Sequence, residues 1–419
     1  MIPRAVVVVT GSELVRGERT DRNGPFLAAE ALRHGLEPAR ITIVGDTPAE
    51  LEAVLREGLE ADACLVSGGL GPTHDDRTVE LVARAAGLEL VVDEELRSEI
   101  ESISRSVAER LRRPYADFAP GVTKQATRPS SAVSIGLAGT APGLVFQAPT
   151  GCVVVVLPGP PGELRRLWHN ALASEPMRDL LGRTRPPGRR VLRLFGVSES
   201  AVARALEEAG GDGDGVEATI CAREFEIHID LVVEPGAEEQ GDALETALTE
   251  RLEQWLFARD ERRVEELVLS LARAQRLRLA TAESCTGGLV AARFTAVPGS
   301  SESFVGGVVA YADDVKRSEL GVPEDLLAEH GAVSAEVAAA MAEGARRRLG
   351  ADLAVAVTGV AGPGGGTAEK PVGRVHLHAA GPDGSLERML DLPGEREQIR
   401  VRATVTALHL LRALLTDGR

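Results

Sequence analysis

The stretch Thr281-Ala282-Glu283-Ser284-Cys285-Thr286-Gly287-Gly288 sets two nucleophile-capable side chains next to each other. It follows the apolar run Leu277–Ala280 and precedes the helix-like run Leu289–Phe294. A strand–turn–helix of this kind presents unpaired N–H groups at the helix start, which favour an oxyanion or a phosphate. Gly287 and Gly288 let a substrate approach the backbone closely. A free serine is a weak nucleophile and needs a base. A cysteine at a helix start is intrinsically the better nucleophile. Spacing alone leaves both residues open, together with an ordinary strand-to-helix turn.

The lysines narrow the choice. Of 47 basic residues, only Lys124, Lys316 and Lys370 are lysine. Arginine serves almost everywhere a surface cation is enough, and arginine does not give up its proton in proteins. A lysine kept against that bias is a candidate base once desolvated; the alternative is survival by chance. Lys316 opens a helix in VVAYADDVKRSELGV, shortly after Tyr311 at a strand end. Ligands of α/β sheets gather beyond the strand C-termini, so Ser284, Lys316 and Tyr311 are expected at one edge as an amidase-type Ser–Lys site. The loop TGVAGPGGG (Thr358–Gly366) follows another strand and offers N–H groups for an oxyanion. EKPVG places Lys370 nearby, and His330, His376 and His378 show no Ser-His-Asp order.

A second constellation, SGGLGPTHDDRT, follows the strand-like Cys64–Val66. Gly68, Gly69 and Gly71 open the backbone to phosphate, and Thr73 adds a hydroxyl. Asp75 and Asp76 have the chemistry to hold a hard cation against phosphate oxygens. They equally fit a helix start, where carboxylates complement the dipole.

The elements that would position these residues alternate strand and helix. Ala5–Val9, Ile41–Val44 and Cys64–Val66 read as strands, with helices at Pro25–His34 and Ala49–Leu59 between them, which argues for a parallel sheet covered by helices. Leu180–Arg190 is rich in Pro, Gly and Arg and reads as a linker. A βαββα unit follows, and strand–helix alternation resumes beyond Arg262. We therefore expect three domains over residues 1–172, 188–257 and 262–419 of this 419-residue chain. The four cysteines are far apart, which excludes a CxxC zinc site and fits a reduced cytoplasmic protein. No apolar run approaches the roughly 20 residues that span a bilayer. A net charge of −16 with 3% aromatics argues against general nucleic-acid or membrane binding.

The motifs AESCTGG, VPGSSESFVGGVVAYADDVKRSELGV, GAVSAEVAAAMAEGA, TGVAGPGGGTAEKPVG and REQIR, in that order, resemble the C-terminal domain of the competence/damage-inducible protein A (CinA) family. The resemblance implies hydrolysis of nicotinamide mononucleotide (NMN) to nicotinate mononucleotide and ammonia, without a cofactor. Ser284 would then be the nucleophile, Lys316 its base and Tyr311 a helper. Glu283, Thr286, Gly287, Gly288, Thr358 and Gly359 would line the substrate, and Arg400 would hold its phosphate.

TGSELVRGERTDRN, VGD, SGGLGPTHDDRT, KQA, GTAPG and PGPPGE resemble the N-terminal domain of the same family, a relative of molybdopterin-binding domains. That implies an ADP-ribose pyrophosphatase using a divalent metal at Asp46, Asp75 and Asp76. Glu13, Asn23, Gly69, Gly71, Thr73 and Lys124 would contact the nucleotide. The βαββα unit resembles the family's KH-like connecting domain, and its Asp212 suits a phosphate backbone poorly. The implied fold is therefore a molybdopterin-binding-like α/β domain, a small α+β KH-like domain and a three-layer α/β domain. A homodimer is also implied. Two alternatives stay open: an enzyme that is chiefly an ADP-ribose pyrophosphatase, and a non-catalytic adaptor in DNA uptake.

Overall fold

The structure is a computed structural model and describes residues 2–416. The chain divides into two units, Met1–Gly188 and Arg189–Arg419.

In the first unit, β1 (Arg4–Thr10), β2 (Glu37–Val44) and β3 (Ala63–Ser67) are parallel neighbours. Two short strands, β4 (Leu90–Val92) and β5 (Thr127–Pro129), pair apart from the main sheet. β6 (Val133–Leu137), β7 (Pro142–Gln147) and β8 (Val153–Leu157) complete that sheet in the order β2-β1-β3-β8-β7-β6. The run Val6–Val9 is buried on both faces: Val7 and Val9 pack with Leu27 and Trp168, and Val6 and Val8 with Leu51 and Leu81. Burial on both faces is what a near-continuous valine run predicts for a parallel strand.

The all-parallel expectation fails at one edge. β7 pairs antiparallel with β8 and β6 antiparallel with β7. The stretch GLAGTAPG (136–143) is the turn of this hairpin and the strand ends beside it. Its glycines and proline masked the flanking strands. The expected linker is also half anchored: Leu180 is buried, and the Thr184 hydroxyl donates to the carbonyl of His34 at 2.8 Å.

The second unit holds two sheets. β9 (Gly188–Phe195), β10 (Val216–Arg223), β11 (Glu226–Val233) and β12 (Leu256–Ala258) form one in the order β10-β11-β9-β12. β13 (Leu279–Glu283), β14 (Phe304–Val309), β15 (Leu353–Gly359), β16 (Arg374–Gly381) and β17 (Gly384–Asp391) form the other in the order β14-β13-β15-β16-β17. β13 is parallel to both neighbours, while β16 and β17 turn antiparallel.

One face of this second sheet carries Val355, Val357 and Leu377 against the helices Val264–Gln275 and Arg396–Thr416. The other face carries Ala280, Ala282, Ala354 and Ala356 against the helix Ala335–Leu349. Alanines let that helix lie close. Gly344 then lets it approach the helix Asp313–Leu320, because a Cβ at 344 would stand 2.0 Å from the Leu320 carbonyl oxygen. That close approach seats the helix bearing Lys316. No helix among the described residues is long and apolar enough to cross a membrane.

Candidate functional sites

β13 is buried along its whole length, and its ladder runs one residue past Glu283. The Ser284 N–H donates to Val357 O and the Ala310 N–H donates to Glu283 O, both at 2.8 Å. Ser284 is thus tied through its backbone N–H to β15, at the bend where β13 ends. Strand alternation puts Ala280 and Ala282 on the alanine face, against which the helix bearing Lys316 packs. The chain then turns through Gly287 (φ 62°) and Gly288 (φ 97°), left-handed conformations that glycine adopts without strain, into the helix Leu289–Thr295.

The start of that helix is already satisfied. The Glu283 carboxylate accepts the N–H groups of Gly288 at 2.9 Å, Val290 at 3.1 Å and Ala291 at 2.9 Å. Glu283 is 1% exposed. The expectation of an open helix start for oxyanion or phosphate is corrected here, since a built-in carboxylate takes those donors. Glu283, expected to line the substrate, is instead occupied as a helix cap.

Cys285 packs into the core with Val290 and Phe294. Burial pushes its thiol up to about 11. A thiol held protonated at neutral pH is a poor attacking group. Ser284 is the remaining nucleophile of the turn.

Lys316 is 2% exposed, whereas Lys124 and Lys370 are only half-buried. Its Nζ donates to Asp313 Oδ1 at 3.0 Å and to Tyr311 O at 3.3 Å. Two of its three N–H directions are therefore used. Asp313 is a neighbour that the sequence reading missed, although it lies on the same helix turn.

Tyr311 is 60% exposed, and its hydroxyl accepts from Arg396 Nη2 at 3.0 Å. Arg400 donates from Nε to Cys285 O at 3.1 Å and from Nη2 to Thr286 O at 2.8 Å. It lies against the turn, with Nη2 beside Gly287. Arg396 was also missed; it stands in REQIR one helical turn before Arg400, but its partner Tyr311 is 85 residues away.

Thr358 is buried, and its hydroxyl donates to Ala332 O at 2.7 Å. That proton is committed to a neighbouring loop rather than offered to a substrate. Gly359 pairs with Val375, and a Cβ there would stand 2.7 Å from Arg374 O, so glycine is required by strand approach. Thr286 is buried with its hydroxyl unpartnered. Lys370 Nζ donates to His330 O. His376 and His378 are both held below the ordinary imidazole range, chiefly by burial.

In the first unit five of the six expected nucleotide residues line two clefts, and Thr73 lines neither. Glu13 and Asn23 line one of about 610 Å³ with Ser67 and Gly159. Gly69, Gly71 and Lys124 line another of about 250 Å³ with Asp76 and Gln125. Asn23 Nδ2 donates to Ser67 Oγ at 2.9 Å and Gly159 O at 2.7 Å, while its Oδ1 is buried without a partner. Lys124 Nζ folds back onto Thr73 O.

The expected metal ligands are not brought together. Asp46 accepts from Thr10 Oγ1 at 3.0 Å and from Ser12 Oγ at 2.6 Å, tying the ends of β1 and β2. Asp75 and Asp76 both lie within reach of the single Thr73 hydroxyl proton in their own loop, and Asp76 also accepts the Thr73 N–H at 3.0 Å. The bond from that hydroxyl is the main reason the Asp75 carboxyl lies below the usual range. Among the described residues, no group of three or more His, Cys, Asp or Glu is arranged to hold a metal ion. The three aspartates therefore do not fit a protein-ligated divalent metal as a set.

The comparisons with known proteins follow the domain order. The probable molybdopterin binding domain family matches residues 6–177, the damage-inducible protein CinA KH domain 189–258, and the CinA C-terminal domain 261–415. A CinA-like protein of Mycobacterium sp. strain JLS is 45% identical over 429 aligned positions, covering 100% of both chains. The CinA-like protein of Mycobacterium leprae is 44% identical over 422, covering 99% of this chain and 98% of its own. The crystal structure of a competence/damage inducible protein from Agrobacterium tumefaciens shares 44% identity over 38% of this chain and 99% of its own, at a TM-score of 0.36. On full-length identity at this level, the chain belongs to the CinA family.

Proposed function

We propose that this chain deamidates NMN at the Ser284 edge of its second unit. One observation carries the reading furthest: Lys316, one of only three lysines, is the one that is buried, and its helix packs on the alanine face of the strand that leads into Ser284. Ser284 Oγ attacks the carboxamide carbon, and its proton passes to Lys316 Nζ. The Asp313 carboxylate, 3.0 Å away, stabilises the ammonium that this step creates. The tetrahedral intermediate then breaks its C–N bond, and ammonia leaves with the proton from Lys316. Water next attacks the ester. Its proton passes through Lys316 to Ser284 Oγ, and the acid leaves as nicotinate mononucleotide. The reading requires the third N–H direction of Lys316 to face Ser284. Arg400, seated against the turn, would meet the phosphate, which offsets the adverse net charge of −16.

For the first unit we propose a nucleotide site around the Gly68–Gly71 loop, with ADP-ribose as the substrate class. The observation that favours it is the pair of clefts on Ser67 and on Gly69–Gly71. Because the aspartates do not form a ligand set, no hydrolytic step is assigned there.

Incubating the purified full chain separately with NMN and with ADP-ribose, with and without divalent metal, tests both. Ammonia from NMN without metal supports the deamidase. Turnover of ADP-ribose alone would make the first unit the main enzyme, and turnover of neither would favour the adaptor.

A further inference from the structure

Tyr311 follows β14 and Gly362 follows β15, and these two strands flank β13, which delivers Ser284. One guanidinium spans the gap. Arg396 Nη2 donates to the Tyr311 hydroxyl at 3.0 Å and Nη1 donates to Gly362 O at 2.6 Å. The bridge joins an exposed ring to a fixed stretch of backbone. Tyr311 is 60% exposed, so packing alone does not fix its ring. The chain at Gly362 runs in a left-handed conformation (φ 77°), and a Cβ there would stand 2.6 Å from Val372 Cγ1, so the carbonyl is presented on a fixed course.

Arg396 is the first residue of its helix. The positive end of the helix dipole disfavours a cation there. Helix stability therefore does not account for an arginine at this position. A planar fork with two parallel donors does, since lysine cannot reach both partners at once.

We infer that Arg396 is a positioning residue for the deamidation proposed above. It holds Tyr311 and the Val360–Gly362 loop in one arrangement across the end of β13. The inference rests on that reading of the Ser284 edge. Arg400, one turn on, is committed to Cys285 O and Thr286 O, so the two arginines have separate tasks.

The test has two arms. The first is independent of activity: the chain has only two tyrosines, Tyr115 and Tyr311, so ring-carbon-labelled tyrosine gives two assignable NMR signals. Arg396→Ala should move the Tyr311 signal and leave Tyr115 in place; an unmoved Tyr311 signal overturns the inference. The second arm measures kcat and KM for NMN and for its phosphate-free nucleoside. Arg396→Ala should lower kcat on the order of 10–100-fold with KM little changed, because misplacement of a reacting group costs about that much. Arg396→Lys should recover part of it, and the combined loss of Tyr311→Phe with Arg396→Ala should be smaller than the sum of the two single losses, because they share the Arg396–Tyr311 bond. A loss confined to NMN and expressed in KM would make Arg396 a phosphate contact and overturn the positioning role. If the wild type fails to deamidate NMN, the functional reading falls, while the tyrosine signal still decides whether Arg396 holds Tyr311.

Discussion

Glu283 Oε1 lies 2.9 Å from the backbone nitrogen of Ala291, eight residues further along the chain. With the bonds from Gly288 and Val290, this makes one buried side chain the cap of the helix that follows Ser284. Glu283→Gln keeps the shape but removes the charge, and one amide oxygen replaces two carboxylate oxygens. The expected cost is about 2 kcal/mol of unfolding free energy, since bonds to a charged group and helix caps are worth that much. Urea unfolding measures it. A change within about 0.5 kcal/mol, the range of neutral surface substitutions, would show that the cap is not what holds the turn.

Cys285 adjoins the proposed nucleophile, yet its thiol is core. Cys285→Ala should retain deamidation within a few-fold and cost about 1 kcal/mol, the size of a small buried deletion. Ser284→Ala should lose activity on the order of a thousandfold or more. Kinetics of the two variants side by side decide which residue attacks, and the reverse pattern would assign the chemistry to sulfur.

Within the second unit, Glu226 of β11 accepts from His409 Nε2 of the last helix at 2.8 Å, and His228 Nε2 lies 3.3 Å away. Phe195 stacks on His409 with ring centroids 3.8 Å apart. Burial alone would raise the Glu226 carboxyl, but the bonds from His228 and His409 override it and bring it to about 2. A depressed carboxyl contributes stability above its unfolded value and loses it as pH falls towards its folded value. His409 is held below its ordinary value, chiefly by burial, so the unfolded chain takes up that proton first. Both effects have one sign. Stability should fall as pH drops below about 6.5 and fall further below about 4.5, where the unfolded groups titrate. Glu226→Gln should flatten the lower part of the profile. Thermal unfolding between pH 7 and 4 tests this, and identical profiles for the two proteins would refute the assignment.

Asp75 and Asp76 bond to Thr73 rather than to a metal set. Asp75→Asn with Asp76→Asn should therefore disturb the 73–76 loop and weaken ADP-ribose binding to the first unit. NMN deamidation should stay within about twofold, because the two sites belong to separate units and share no partners. Isothermal titration and the ammonia assay separate the two sites. An equal fall in both would contradict independent sites.

Local pattern made much of this legible. The valine run Val6–Val9 and the turn at Ser284 follow from burial on two faces and from glycine placement. The scarcity of lysine marks Lys124, Lys316 and Lys370, and Lys316 is the one that the fold buries. What stayed hidden depends on partners distant in sequence. Arg396 meets Tyr311 across 85 residues and Asp46 meets Thr10 across 36, distances at which spacing carries no signal. Glu283 was misjudged for another reason. A carboxylate beside a nucleophile looks chemical, and only the fold shows both its oxygens spent on helix amides.

The central claim is the Ser284–Lys316 pair, and Lys316→Arg tests it most directly. Arginine keeps the charge near Asp313 but cannot act as a base. With the fold confirmed by circular dichroism, ammonia release from NMN should fall on the order of 100- to 10,000-fold, the usual contribution of a positioned general base. Ammonia release within a few-fold of the wild type would contradict the account.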